Sequence, residues 1–127
     1  MSIQHSYDTS YEVPSLMFDI KIANPFSSVV IAKRGKVDTG ADLTRVPETL
    51  TQRLTLIPSG ETPIRYGNEA VEIKRTYLAV IMINGFSLDA EVYFGGRRDY
   101  ILIGRNVLNQ LIMHCHGKNQ LFWFEDP

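Results

Sequence analysis

From Val71 to Phe94 the sequence suits extended chain folded once on itself at Asn84-Gly85. Both central positions of a tight two-residue hairpin need positive φ, and Asn-Gly tolerates it at both. After that turn, Phe86, Leu88, Ala90, Val92 and Phe94 alternate with Ser87, Asp89, Glu91 and Tyr93, the period of a strand buried on one face. The same period appears upstream, where Leu16, Phe18, Ile20 and Ile22 share a face opposite Asp19 and Lys21 until Asn24-Pro25 breaks the run. A chain patterned in this way folds as a mostly-β domain.

The remaining segments fit that frame. A second apolar run, Val29 to Val37, leads straight into Asp38-Thr39-Gly40. Pro47 suits the first turn of a short helix reaching Leu54, and Pro58-Ser59-Gly60 reads as a loop. Gly67-Asn68 joins two further runs, Gly95-Gly96 ends the alternating strand, and Tyr100 to Ile103 makes a short apolar strand. Asn106 to Leu111 is the best remaining helix, and Gln120 to Glu125 is a last strand behind the turn at residues 116–119. With 127 residues and no linker-like composition shift, residues 1–127 are expected to form a single domain.

Bulk composition excludes several classes. Hydrophobic residues at 44% against 21% charged describe a globular chain, not a disordered one. Net charge is −1, and the basic pairs Lys33-Arg34, Lys74-Arg75 and Arg97-Arg98 are scattered, so nucleic acid and anionic membranes are not expected partners. The single cysteine, Cys115, allows no internal disulfide and suits a reducing compartment. Residues 1–8 lack the basic start and apolar core of a signal peptide. Tyr77 to Ile83 is too short to span a bilayer. A cytoplasmic location follows as an expectation.

Chemistry concentrates at Asp38-Thr39-Gly40-Ala41-Asp42, where a strand ends and the chain must turn. Taken alone, Asp-Thr-Gly is a weak signal, and an ordinary Asx-type turn would use the same residues. A second element strengthens it: Ile101-Leu102-Ile103-Gly104-Arg105-Asn106, an apolar strand, a glycine, then a helix opening on Arg-Asn. Together, in this order and spacing, these motifs resemble the retropepsin family of aspartic proteases over about residues 16–112, with residues 112–127 as an additional C-terminal hairpin.

That resemblance implies a retropepsin-like, closed or partly open β-barrel with a flap hairpin, one or two short helices and half an active site per chain. It implies Asp38 as the catalytic carboxylate, Thr39 as the residue locking the two active-site loops across a dimer, and Gly40 as backbone presented to substrate. Ala41 and Asp42 would join Gly40 in binding substrate, with Asp42 also pairing with Arg105, whose planar fork suits a carboxylate. Gly104, Arg105 and Asn106 would support the site. Tyr66, Gly67 and Asn68 lie where the flap tip belongs, although the sequence there is not the Gly-rich flap of the retroviral members. Two other departures are Lys36, in place of an apolar residue two positions before Asp38, and the extra hairpin after the Arg-Asn helix.

The implied chemistry is peptide hydrolysis by a carboxylate that deprotonates water beside a protonated one that polarises the carbonyl. With one Asp-Thr-Gly per chain, the second carboxylate would come from a homodimer partner across a twofold axis, acting on a peptide or protein substrate without any cofactor. The alternative is a retropepsin-fold dimer that binds peptides or proteins without cutting them. His114-Cys115-His116 has zinc-type ligands, but on a strand the histidines face away from the cysteine, so no metal site is expected. Phe122-Trp123-Phe124, apolar on both faces, is expected in the core or a dimer interface.

Residue 41 is alanine, where the pepsin-like enzymes usually carry a hydroxyl able to stabilise the ionised dyad. Ala41→Ser should therefore move the pH–rate profile of peptide cleavage to lower pH. An unshifted profile would refute this role for position 41.

Overall fold

The computed structural model describes residues 3–126. Six strands close into a ring: β2 (Met17–Ala23), β3 (Val30–Val37), β8 (Ile101–Ile103), β4 (Thr44–Val46), β7 (Phe86–Phe94) and β6 (Val71–Ile83), with β6 returning to pair with β2. The alternation in the sequence sets which side faces inward. Phe18, Ile20 and Ile22 of β2 and Leu88, Ala90 and Val92 of β7 fill the barrel beside Ile81, Ile83, Ile101 and Ile103. Asn84 and Gly85 adopt φ of 51° and 89°, the left-handed pair that a tight β6–β7 turn requires.

At 13 residues, β6 outruns the ring. Its C-terminal half pairs with β7, while its N-terminal half pairs with β5 (Ile57–Arg65) to form a hairpin arm standing off the barrel. Here the structure corrects the sequence reading. Pro58-Ser59-Gly60 is part of β5, not a loop, with a register shift that leaves Ser59 as an extra residue between Pro58 and Gly60. Proline is tolerated because β5 pairs on one side only, and the bulge absorbs the irregularity. Ser59 and Thr76 remain tied hydroxyl to hydroxyl at 2.9 Å.

Pro47 precedes a 3₁₀ turn, Glu48–Leu50, which continues into α1 (Thr51–Leu54). The second helix, α2 (Arg105–Leu108), starts and ends earlier than residues 106–111, because Gly104 caps it and Asn109 to Leu111 close as turns. Where the first strand was expected to break, Asn24 is buried. Its amide donates to the carbonyls of Leu54 and Thr55 at 3.0 and 3.1 Å, and its side-chain oxygen accepts the Phe26 N–H at 2.8 Å.

The C-terminal hairpin, β9 (Ile112–His116) and β10 (Leu121–Glu125), gains a third strand that the sequence did not announce, β1 (His5–Ser6). Phe122 and Phe124 turn inward against Phe18, each with ring centroids 5.3 Å from it. Trp123 faces the other way, stacked between His114 and His116 at 4.9 and 4.8 Å. Among the described residues no helix is long and apolar enough to cross a membrane.

Phe122 is fully buried and joins this sheet to the barrel, whereas Ile112 on the same sheet is 44% exposed. Phe122→Ala should lower unfolding stability by about 3–5 kcal/mol. Ile112→Ala should change it by roughly 0.5 kcal/mol or less. Denaturant titration of both variants checks the contrast, and equal losses would show that the sheet is not anchored through Phe122.

Candidate active site

β3 and β8 run parallel, pairing Lys36 with Leu102 and Val37 with Ile103. Asp38 lies just past the end of that pair and extends it, its N–H donating to the Ile103 carbonyl at 3.0 Å. The chain then turns back. The Ala41 N–H donates to the Asp38 carbonyl at 3.3 Å, and the Gly40 N–H donates to Asp38 Oδ1 at 2.9 Å. The Asx-type geometry that sequence allowed is therefore present. It fixes the partly buried carboxylate by one oxygen and leaves Oδ2 with no hydrogen-bond donor among the described residues.

The loop from Asp38 to Leu43 is fastened to the start of α2 by backbone and side chain together. The N–H groups of Arg105 and Asn106 donate to the carbonyls of Ala41 and Asp42 at 2.8 and 3.2 Å. Arg105 Nη1 donates to the Thr39 carbonyl at 2.8 Å, and Nη2 meets the Asp42 carboxylate. Gly104 makes the crossing possible, since a Cβ there would stand 2.3 Å from the Leu43 carbonyl oxygen. Asn106 completes the fastening by donating to the Glu91 carbonyl at 2.8 Å and accepting the Thr44 hydroxyl at 2.9 Å.

The expected Asp42–Arg105 pair forms, but at the surface rather than in the interior. The Asp42 side chain is 84% exposed and that of Arg105 is 43% exposed. Solvent screens such a pair strongly. The buried polar link is instead Thr44, fully enclosed, whose hydroxyl accepts the Gly104 N–H at 3.1 Å. Sequence reasoning passed over it, although a hydroxyl in step with inward-facing Val46 was the available signal.

A cleft of about 440 Å³ separates this loop from the hairpin arm. Gly40, Ala41, Asp42 and Leu43 form one wall, and residues 62–65 of β5 form the other, with Tyr93 at its side. Tyr66, Gly67 and Asn68 are not part of its wall; they make the exposed tip of the arm. There Tyr66 N–H donates to the Ala70 carbonyl at 2.9 Å, and its hydroxyl donates to the Glu72 carboxylate at 3.0 Å. The Thr39 side chain is exposed with no hydrogen-bond partner among the described residues.

Tyr93 is a second residue missed from sequence, where it counted among the polar positions of β7. Only 8% of it is exposed. Burial raises the pKa of its hydroxyl, the nearby Asp38 charge adds to the rise, and Arg45 and Lys74 oppose it. Lys36, on the Asp38 side of β3, is held over the rings of Tyr11 and Tyr100 at 5.4 and 5.7 Å. His114 and His116 share a face opposite Cys115, and among the described residues no group of three or more His, Cys, Asp or Glu is placed to hold a metal ion.

No family model matches the sequence, and no curated protein matches it. Solved structures do match the fold. A retropepsin-like aspartic protease from Rickettsia conorii aligns with a TM-score of 0.64 at 16% identity, over 98% of this chain and 89% of that one. The EIAV protease, solved with the inhibitor HBY-793, aligns at 0.58 and 15% identity over 83% and 92%. A foamy viral protease-reverse transcriptase bound to an RNA/DNA hybrid aligns at 0.53 and 22% identity over 73% of this chain, which spans only 12% of that longer one.

Gly104→Ala should destabilise the chain by about 2–3 kcal/mol, because backbone must move to admit the methyl group. Arg105→Ala removes a solvent-exposed pair and one hydrogen bond to the Thr39 carbonyl, so about 1 kcal/mol is expected. Thermal unfolding of the two variants under conditions favouring the single chain measures the difference. A larger loss for Arg105→Ala would reverse the ranking.

Proposed function

We propose that this chain, whose fold is retropepsin-like, is one half of an aspartic endopeptidase in which two copies pair and each supplies Asp38. The observation that carries the reading is the fixed carboxylate: one Asp38 oxygen is held by the Gly40 N–H, and its loop is clamped by Arg105 beside a cleft. A turn aspartate serving only structure would not need this crossing, nor an arm standing over it.

Hydrolysis requires two carboxylates in contact, which cannot both be ionised and so share a proton. The ionised member takes a proton from water as that water attacks the peptide carbonyl, and the protonated member hydrogen-bonds the carbonyl oxygen. The chain contains one Asp-Thr-Gly, so the second carboxylate comes from the twofold mate. Thr39, exposed and unpartnered among the described residues, ties the two loops together in this reading. Gly40, Ala41 and Asp42 hold the substrate backbone. Among the described residues β5 pairs only with β6, so its other edge is free to align an extended peptide by strand addition. Tyr66, Gly67 and Asn68 close over the peptide from the tip of the arm. The half-enzyme is the single domain of residues 1–127, and its lone thiol, Cys115, suits a reducing, cytoplasmic setting.

Asp38→Asn keeps the side chain's shape but can neither accept the proton from water nor share one. It should abolish cleavage of a peptide library while leaving the circular dichroism and the dimer seen by sedimentation at micromolar concentration as in the unaltered protein. Turnover that survives the substitution would exclude the dyad, and a strictly monomeric protein would exclude the shared site. Peptide binding without turnover in the unaltered protein would favour the non-cutting dimer.

A further inference from the structure

The sheet face that bears Asp38 carries a cation with no carboxylate partner among the described residues. In register, Lys36 stands beside Leu102, Leu102 beside Arg45, and Arg45 beside Tyr93. This row lies opposite the core, where Val37, Ile103, Thr44 and Val92 point. Tyr93 lines the cleft, and Arg45 is its register partner on the adjacent strand, so the two side chains share one face and Arg45 stands at the edge of the cleft.

Arg45 is partly buried and packed against the chain that follows β7. Its guanidinium lies across Gly96, close enough that a Cβ there would stand 3.0 Å from its Cζ and Nε. Gly96 also holds a φ of +75°, so glycine is suited to the position on both counts. Yet partly buried Arg45 forms no salt bridge and donates no side-chain hydrogen bond among the described residues. The other cations near the loop differ: Arg105 is taken by Asp42, and Lys36 is held by two tyrosine rings. Asp42, already engaged, is the sole carboxylate in the described cleft wall, and Arg65 adds a further positive charge to it.

We infer that Arg45 forms a subsite for an acidic side chain, so that the cleft selects peptides carrying glutamate or aspartate near the scissile bond. This rests on the peptide-cleft reading above and adds its substrate class. A planar guanidinium kept free of internal partners donates two parallel hydrogen bonds to a carboxylate, a geometry that neither glutamine nor lysine reproduces. In a symmetric dimer the second Arg45 provides the same preference on the far side of the bond.

The test uses peptide pairs that differ only by Glu or Gln at each position flanking the cleavage site, above about pH 5, where glutamate is ionised. The unaltered protein should show kcat/KM about tenfold higher for Glu at one or more positions. Arg45→Met should bring that ratio close to one, Arg45→Lys should restore part of it, and Arg45→Glu should favour a Lys-containing peptide. Circular dichroism confirms that each variant is folded. The same pairs titrated into Asp38→Asn protein report binding without turnover. Charge-selective binding lost in a double variant with Arg45→Met supports the subsite even if no peptide is cut, an outcome that refutes only the proteolytic reading. Cleavage with a Glu/Gln ratio near one at every position, or a ratio that Arg45→Met leaves unchanged, overturns the subsite and leaves the protease reading standing. Absence of both cleavage and charge-selective binding overturns both.

Discussion

The contact between Gly104 and the backbone of Leu43 sets the geometry on which the site depends. Two separate stretches cross there, and no side chain fits between them. Because they approach so closely, the first N–H groups of a four-residue helix find acceptors in the loop carbonyls of Ala41 and Asp42. The N-terminal groups that a helix leaves unpaired are thereby satisfied. One crossing thus starts the α2 helix, shapes the Asp38 loop and points its carboxylate. Thr44 and Asn106 add a buried link that resists shear between the two stretches.

The ring around that crossing was legible because its strands are half-buried and period two survives at nearly every position of β2 and β7. Legibility failed where burial and pairing departed from that pattern. β5 has an unpaired edge, so Pro58 and Gly60 could enter a strand without breaking a ladder, and their usual turn meaning misled. β1 contains only His5 and Ser6, too few residues to show a period, and it exists because β10 offers an edge. Tyr93 sits at a position that alternation assigns to solvent, yet only 8% of it is exposed.

At the site, the motif residues were readable and their environment was not. Asp38, Gly104 and Arg105 stand together as their order in the sequence suggested. The exposure of Asp42 and the enclosure of Thr44 depend on how the loop lies over β4 and α2, a tertiary matter with no local signature. Arg45 belongs to the same class. Its identity is plain in the sequence, but its lack of a carboxylate partner emerges only once strand register sets Tyr93 and Leu102 on either side.

The uneven burial of this loop bears on how the chain works. Inward, everything polar is paired: Thr44 with Gly104 and Asn106, and Asn106 with Glu91. Outward, Thr39 and Gly40 are exposed and Asp42 is 84% exposed. Loops built only to turn a chain rarely carry so much internal fastening, because its ordering cost must be offset by something. A rigid, polar, uncovered ridge is what a second copy would need in order to dock without first ordering it. The same rigidity would hold two carboxylates at a fixed separation, the condition for their sharing one proton. On the proposed shared site, pre-ordering in one chain and completion by its mate would be two aspects of a single device, with the Gly104 crossing as the part that each chain makes alone.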